Sequence, residues 1–182
     1  MLTAEDTEGM VFVDQSGINL AMSRTRARSP KGQRAVAFEP KQHAKNLTVI
    51  GALGALGMHM AEVISGGMKK PHFIAFMTAL LATLNAGQII VLDNLRIHHA
   101  AEIKAMAKAA GVYLLFTPPY SPEFNPIEEA WSKFKALLRK LRARTPEALK
   151  SAVEIGLDNI KPKDAVGWTR HAGYPVAEAQ GA

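Results

Sequence analysis

The 182-residue chain contains no cysteine. That excludes disulfides, thiolate metal sites and cysteine nucleophiles, and it suits a reducing compartment. Long apolar runs are missing too: the greasiest stretch, Phe73 to Leu84, is too short to cross a bilayer. The opening residues, MLTAEDTEG, are polar and acidic, the wrong character for a secretory leader. These absences lead to the expectation of a soluble, cytoplasmic protein with no membrane partner. Acid is also in short supply, with 16 Asp and Glu against 22 Lys and Arg and a net charge of +6. Such a balance points towards polyanions, nucleic acid or an anionic surface. With 48% hydrophobic and 21% charged residues, the chain can build the core of one folded domain and does not read as disordered.

What is present has a clear order. GMVFVDQSG predicts a buried strand ending at Asp14. Residues Leu20 to Lys45 carry seven basic residues (Arg24, Arg26, Arg28, Lys31, Arg34, Lys41 and Lys45) against one acid, Glu39. NLTVIGALGALGMHMAEVISGG predicts two strands around a glycine turn. Helical spacing runs from Pro71 to Asn85, with Gly87 beyond it as a stop. QIIVLD predicts a buried strand ending at Asp93, His98 to Ala110 a helix, and VYLLF another buried strand. Asn125 to Arg144 predicts a strongly amphipathic helix, and Thr145-Pro146 opens one more, to about Asn159. Early strands followed by alternating β and α predict an α/β fold, a mixed five-stranded sheet with helices packed on it. Residues 1–160 are expected to form this domain and 161–182 a short tail.

Asp14 and Asp93 therefore stand at strand ends, where α/β sheets place ligands. At roughly 100° per residue, Ile127, Trp131, Phe134, Leu138 and Leu141 form the core stripe of the helix after Pro126. Glu128 falls on the flank of that stripe and Glu129 towards solvent. The same flank continues as Ser132, Lys135, Arg139 and Arg142. Four prolines, Pro118, Pro119, Pro122 and Pro126, stiffen the approach to the first turn. Three converging carboxylates without cysteine suit a hard cation, Mg²⁺ or Mn²⁺, and the basic flank suits a phosphate backbone. Plainer readings stay open. Asn125 and Glu128 also fit a capping box, Asp14 a turn, His98 and His99 a helix cap, and the basic residues solvated surface.

Beyond these readings, IIVLDNLRIHHA and GVYLLFTPPYSPEFNPIEEAWSKFKALLRK closely resemble the catalytic core of DDE transposases, in the bacterial insertion-sequence branch related to the mariner elements. VFVDQSG, SRTRARSPKGQR, RTPEALKSAVEIGLDNI and GWTRHAGY resemble further parts of that family. Asp93 and Glu128 have 34 residues between them, the spacing characteristic of it. The resemblance implies an RNase H-like fold and a triad of Asp14, Asp93 and Glu128. It implies that the triad holds two Mg²⁺ or Mn²⁺ ions for strand cleavage and strand transfer. It implies DNA partners, transposon ends and target. Arg24, Arg26, Arg28, Lys31, Arg34, Lys135, Arg139 and Arg142 are expected on the DNA backbone. In many members an acid follows the first aspartate, where this chain has Gln15. The family's N-terminal helix-turn-helix region has no counterpart here, which leaves an upstream helix-turn-helix chain and a homodimer as candidate partners. A non-cleaving module that binds DNA or dimerises is the alternative expectation.

Overall fold

Strand β1, Met10–Ile18, alternates in the way a buried strand must, and its two faces meet different helices. Met10 and Phe12 join one core cluster, Val11 and Val13 the other. The computed structural model describes residues 2–23, 28–36 and 46–177. Around β1 lie β2 (Leu47–Gly54), β3 (Gly57–Ser65), β4 (Ile89–Leu92) and β5 (Tyr113–Phe116). They form one five-stranded sheet in the order β3-β2-β1-β4-β5. The first three strands are antiparallel, whereas β1, β4 and β5 run parallel. The sheet is thus mixed, as expected.

Helix α1 (Ala4–Glu8) precedes β1; α2 (Lys70–Leu81) and α3 (Ala101–Ala109) cover the face of Val11 and Val13. Helices α4 (Ile127–Leu141), α5 (Pro146–Asp158) and α6 (Pro162–His171) cover the face of Phe12. Thr145 caps α5 as its sequence predicts, its hydroxyl accepting from the Ala148 amide at 3.2 Å. The stretch expected as a tail holds α6, and Ala165 and Trp168 belong to the core under α4. Tyr174 packs edge-on against Phe12 at 5.0 Å and donates its hydroxyl to the Phe124 carbonyl at 2.9 Å.

Four expectations are corrected. β1 does not stop at Asp14, because its antiparallel pairing with β2 continues to Ile18↔Leu47. β5 is not buried on both faces: it is the edge strand, and Tyr113 and Leu115 are exposed. The helix expected from His98 begins as a 3-10 turn, Arg96–His99, and Ala100 at ψ 137° breaks it from α3. Leu141 leaves the core stripe and is exposed, because α4 ends there with Arg142 in the left-handed region at φ 51°.

Candidate active site

The sheet itself brings two of the acids together. The parallel pairing of β1 with β4 ends at Val13↔Leu92, and the next residues on the two strands are Asp14 and Asp93. Asp14 shares the parity of Phe12 and therefore faces the side covered by α4. It pairs across β2 with Gly51, where an added Cβ would come within 2.8 Å of the Trp131 ring. That missing side chain leaves room for the indole, whose Nε1 donates to Asp14 Oδ2 at 3.0 Å. Trp131 was expected only as core; a buried indole N–H needs an acceptor, and that requirement is the signal for its second role.

Asp93 is held from the other side. His98 is 1% exposed and stacks on Phe73 at 4.3 Å. Its Nδ1 donates to Asp93 Oδ1 at 2.5 Å and lies 3.2 Å from the Asp93 carbonyl. The Leu95 amide donates to the same carboxylate at 3.2 Å. His99 stacks on Phe116 at 4.2 Å and reaches Asn94 Oδ1 at 2.5 Å. Both histidines thus brace the loop after Asp93 rather than cap a helix.

Glu128 begins the first turn of α4, one helical turn before Trp131. The capping-box reading fails: no side chain caps this helix, and Asn125 Oδ1 is buried without a partner. The Asn125 backbone is engaged instead, its carbonyl accepting from the Glu128 amide at 3.0 Å. With Asp93, Glu128 lines a cavity of about 410 Å³ walled by the proline loop, Thr117 to Pro122. Tyr120 in that loop adopts φ 58°, a conformation that costs a non-glycine residue roughly 1–3 kcal/mol.

The charges of the acids interact. Burial pushes the Asp14 carboxyl up to about 7, and the neighbouring charges of Glu128 and Asp93 push the same way, against its bonds to Gln15 and Trp131. Burial also raises Glu128, aided by Asp93 and opposed by Lys135. For Asp93 burial works in the same sense, but His98 and the Leu95 amide outweigh it and hold the carboxyl below its usual range. Three oxygen-donor carboxylates that resist sharing negative charge form a donor set suited to a hard divalent cation. Among the described residues, no group of three His, Cys, Asp or Glu is drawn closely enough to hold one ion. Asp93 and Glu128 share the cavity, while Asp14 stands beside it against Trp131.

Of the basic residues, Lys135 lies near enough to act on Glu128, and Lys135 and Arg139 are half-buried on α4. Arg28, Lys31, Arg34 and Arg142 are exposed. Arg24, Arg26, Lys41 and Lys45 lie outside the described residues. Arg144, not anticipated, ties the chain after β1 to the end of α4, donating to the Leu20 carbonyl at 2.7 Å.

The family model of the DDE superfamily endonucleases matches residues 9–150. No curated protein matches the chain. Among solved structures, the chain is similar to the Mos1 transposase paired-end complex with left transposon end, at TM-score 0.74 and 16% identity. It is similar to the Mos1 strand transfer complex at TM-score 0.73 and 16% identity. A third similar structure is the Mos1 mariner paired-end complex with Mn, at TM-score 0.69 and 15% identity. Each match covers 91% of this chain, and 52%, 51% and 52% of the respective Mos1 chains. The likeness is one of fold, that of the RNase H-like catalytic domain, and the chain spans about half the length of those relatives.

Proposed function

Because the chain belongs to the DDE superfamily endonuclease family, we propose that it carries the DNA-cleaving centre of a transposase, with Asp14, Asp93 and Glu128 as its acids. The observation that best supports this is the meeting of three elements at the end of the parallel β1–β4 ladder. Asp14 and Asp93 follow the last pair of the parallel ladder, and Glu128 opens the helix laid over them. The Mos1 complexes are named for transposon ends, strand transfer and manganese. For this chain the corresponding substrate is a DNA phosphodiester, and the reaction is its hydrolysis followed by transfer of the freed 3′-hydroxyl to a second strand.

Asp93 and Glu128 line the cavity, and Asp14, bonded to Trp131 beside it, would complete the set of acids. A divalent ion bound there supplies a Lewis acid that activates water and offsets charge at the phosphate. His98 keeps Asp93 ionised and turned to a fixed angle. Burial makes Asp14 hold its proton up to about pH 7, so a positive charge beside it would be what keeps its carboxylate ionised at neutral pH. Lys135, Arg139, Arg142, Arg24, Arg26, Arg28, Lys31 and Arg34 take the DNA backbone without reading sequence.

Nicking of supercoiled plasmid in Mn²⁺, wild type against Asp93→Asn, tests this. Nicking that vanishes in the variant is the expected result; nicking that persists in a folded variant overturns the triad. A second reading has its own support, since the three acids are not closed into one ligand set. On that reading a partner chain or the DNA itself completes the site. Salt-sensitive DNA binding, with no nicking by either protein, would favour it.

A further inference from the structure

We infer that Tyr120 is a stacking platform for an unpaired nucleobase of the DNA held at the acid cavity, a role that rests on the transposase reading. Of the chain's three tyrosines, Tyr120 is the one that lines the acid cavity. Tyr174 packs on Phe12 and bonds to Phe124; Tyr113 pairs with Ile89 in the sheet. Tyr120 is 102% exposed, so its ring brings no burial to the core. It also sits at φ 58°, where glycine is the undemanding choice. A turn needing only that backbone shape has no use for an aromatic ring. Strain kept at an exposed ring on the wall of a site is an observation that asks for a ligand.

The loop holds the ring in a set place. Pro118 and Pro119 precede it and Pro122 follows. The Thr117 amide donates to the Leu92 carbonyl at 2.9 Å, which anchors one end to β4. The Asn125 amide closes a turn onto the Pro122 carbonyl at 2.9 Å, and the Asn125 carbonyl accepts from the Glu128 amide at 3.0 Å, which joins the other end to α4. A platform fixed in advance loses little freedom on binding. The cavity that Tyr120 lines with Asp93 and Glu128 is walled by Leu95, Pro118 and Pro119, and among the described residues no lysine or arginine lines it. Those walls suit the flat apolar face of a base rather than a phosphate. In a paired duplex such faces are hidden by stacking, so the occupant is a base that is unpaired or turned out next to the scissile phosphate.

The test measures binding without cleavage, in Ca²⁺, by fluorescence anisotropy. Two probes of one sequence are compared, a full duplex and a duplex with a short single-stranded gap. Wild type, Tyr120→Phe, Tyr120→Ala and Tyr120→Gly are titrated against each. Loss of base stacking on an aromatic side chain is expected to weaken gapped-DNA binding roughly fivefold to a hundredfold in the Ala and Gly variants. Duplex binding should change less than about twofold, because backbone contacts carry no base information. Tyr120→Phe should behave as wild type. Tyr120→Gly should melt no lower than wild type, since it relieves φ 58°, which separates lost stacking from lost folding. Equal binding of gapped DNA by the Ala variant and wild type overturns the inference. So does a Phe variant as weak as Ala, which would assign the effect to the hydroxyl. Wild-type protein that binds neither probe overturns the transposase reading itself, a result distinct from either.

Discussion

The Trp131 indole donates to Asp14 Oδ2 across 3.0 Å, so the helix that bears Glu128 also grips the first aspartate. The bond is buried and joins residues far apart in the chain. It fixes the Oδ2 oxygen of the Asp14 carboxylate.

Trp131→Phe removes the donor while keeping an aromatic ring. A buried carboxylate that loses a partner costs about 1–3 kcal/mol, and urea denaturation should show a loss of that size with an unchanged m-value. Plasmid nicking should fall at least as far as stability predicts. Full stability and full nicking in the variant would show that the bond has no role.

Gly51→Ala tests the same joint from the opposite strand. The new methyl meets the Trp131 ring at 2.8 Å and the Met58 sulfur at 3.0 Å. The ring is wedged in the core and cannot yield, so the expected cost is about 1–3 kcal/mol. A melting temperature equal to wild type would mean that the indole has another place to sit.

His98 invites a pair of substitutions. His98→Ala frees the Asp93 carboxylate and opens space beside Phe73. Loss of such an outer partner typically weakens metal affinity or activity roughly 10–100-fold. His98→Asn places an N–H near the old Nδ1 and should restore part of it. Calorimetric titration with Mn²⁺ alongside nicking would show the loss in both readouts. Equal Mn²⁺ affinity in all three proteins would remove His98 from any positioning role.

The raised carboxyl of Asp14 predicts how the metal-free protein responds to pH. Its native pKa is about 7, against an ordinary 3.8. The native state therefore binds this proton more tightly than the unfolded chain does. Its stabilising effect is full below about 3.8 and is lost as pH rises to about 7. The slope is at most ~1.4 kcal/mol per pH unit. Asp14→Asn should flatten this part of the stability curve. Added Mg²⁺ should raise the melting temperature more at pH 8 than at pH 5, since a bound ion needs ionised carboxylates. A variant curve parallel to wild type would contradict the assignment.

Much of this arrangement was legible in the sequence. Apolar runs ending in acid marked Asp14 and Asp93, and the four-three spacing of Ile127, Trp131, Phe134 and Leu138 set Glu128 on the flank of α4. What stayed hidden depends on distant partners. That β1 runs on past Asp14 follows from β2, which keeps pairing where β4 stops. VYLLF looks buried in isolation, but its place at the sheet edge bares Tyr113 and Leu115. No local pattern tells His98 that Phe73 will lie beneath it. Residues 161–182 read as a mixed tail because α6 carries few apolar residues, yet Ala165 and Trp168 suffice to seat it.

The one-turn offset between Glu128 and Trp131 has a mechanical consequence. A rigid helix that slides or rotates by a fraction of a turn shifts both residues at once. Glu128 would leave the cavity in the same motion that pulls the indole from Asp14. The site thus has no half-set position along α4. Any substitution that displaces this helix therefore moves Glu128 and the indole bond to Asp14 together.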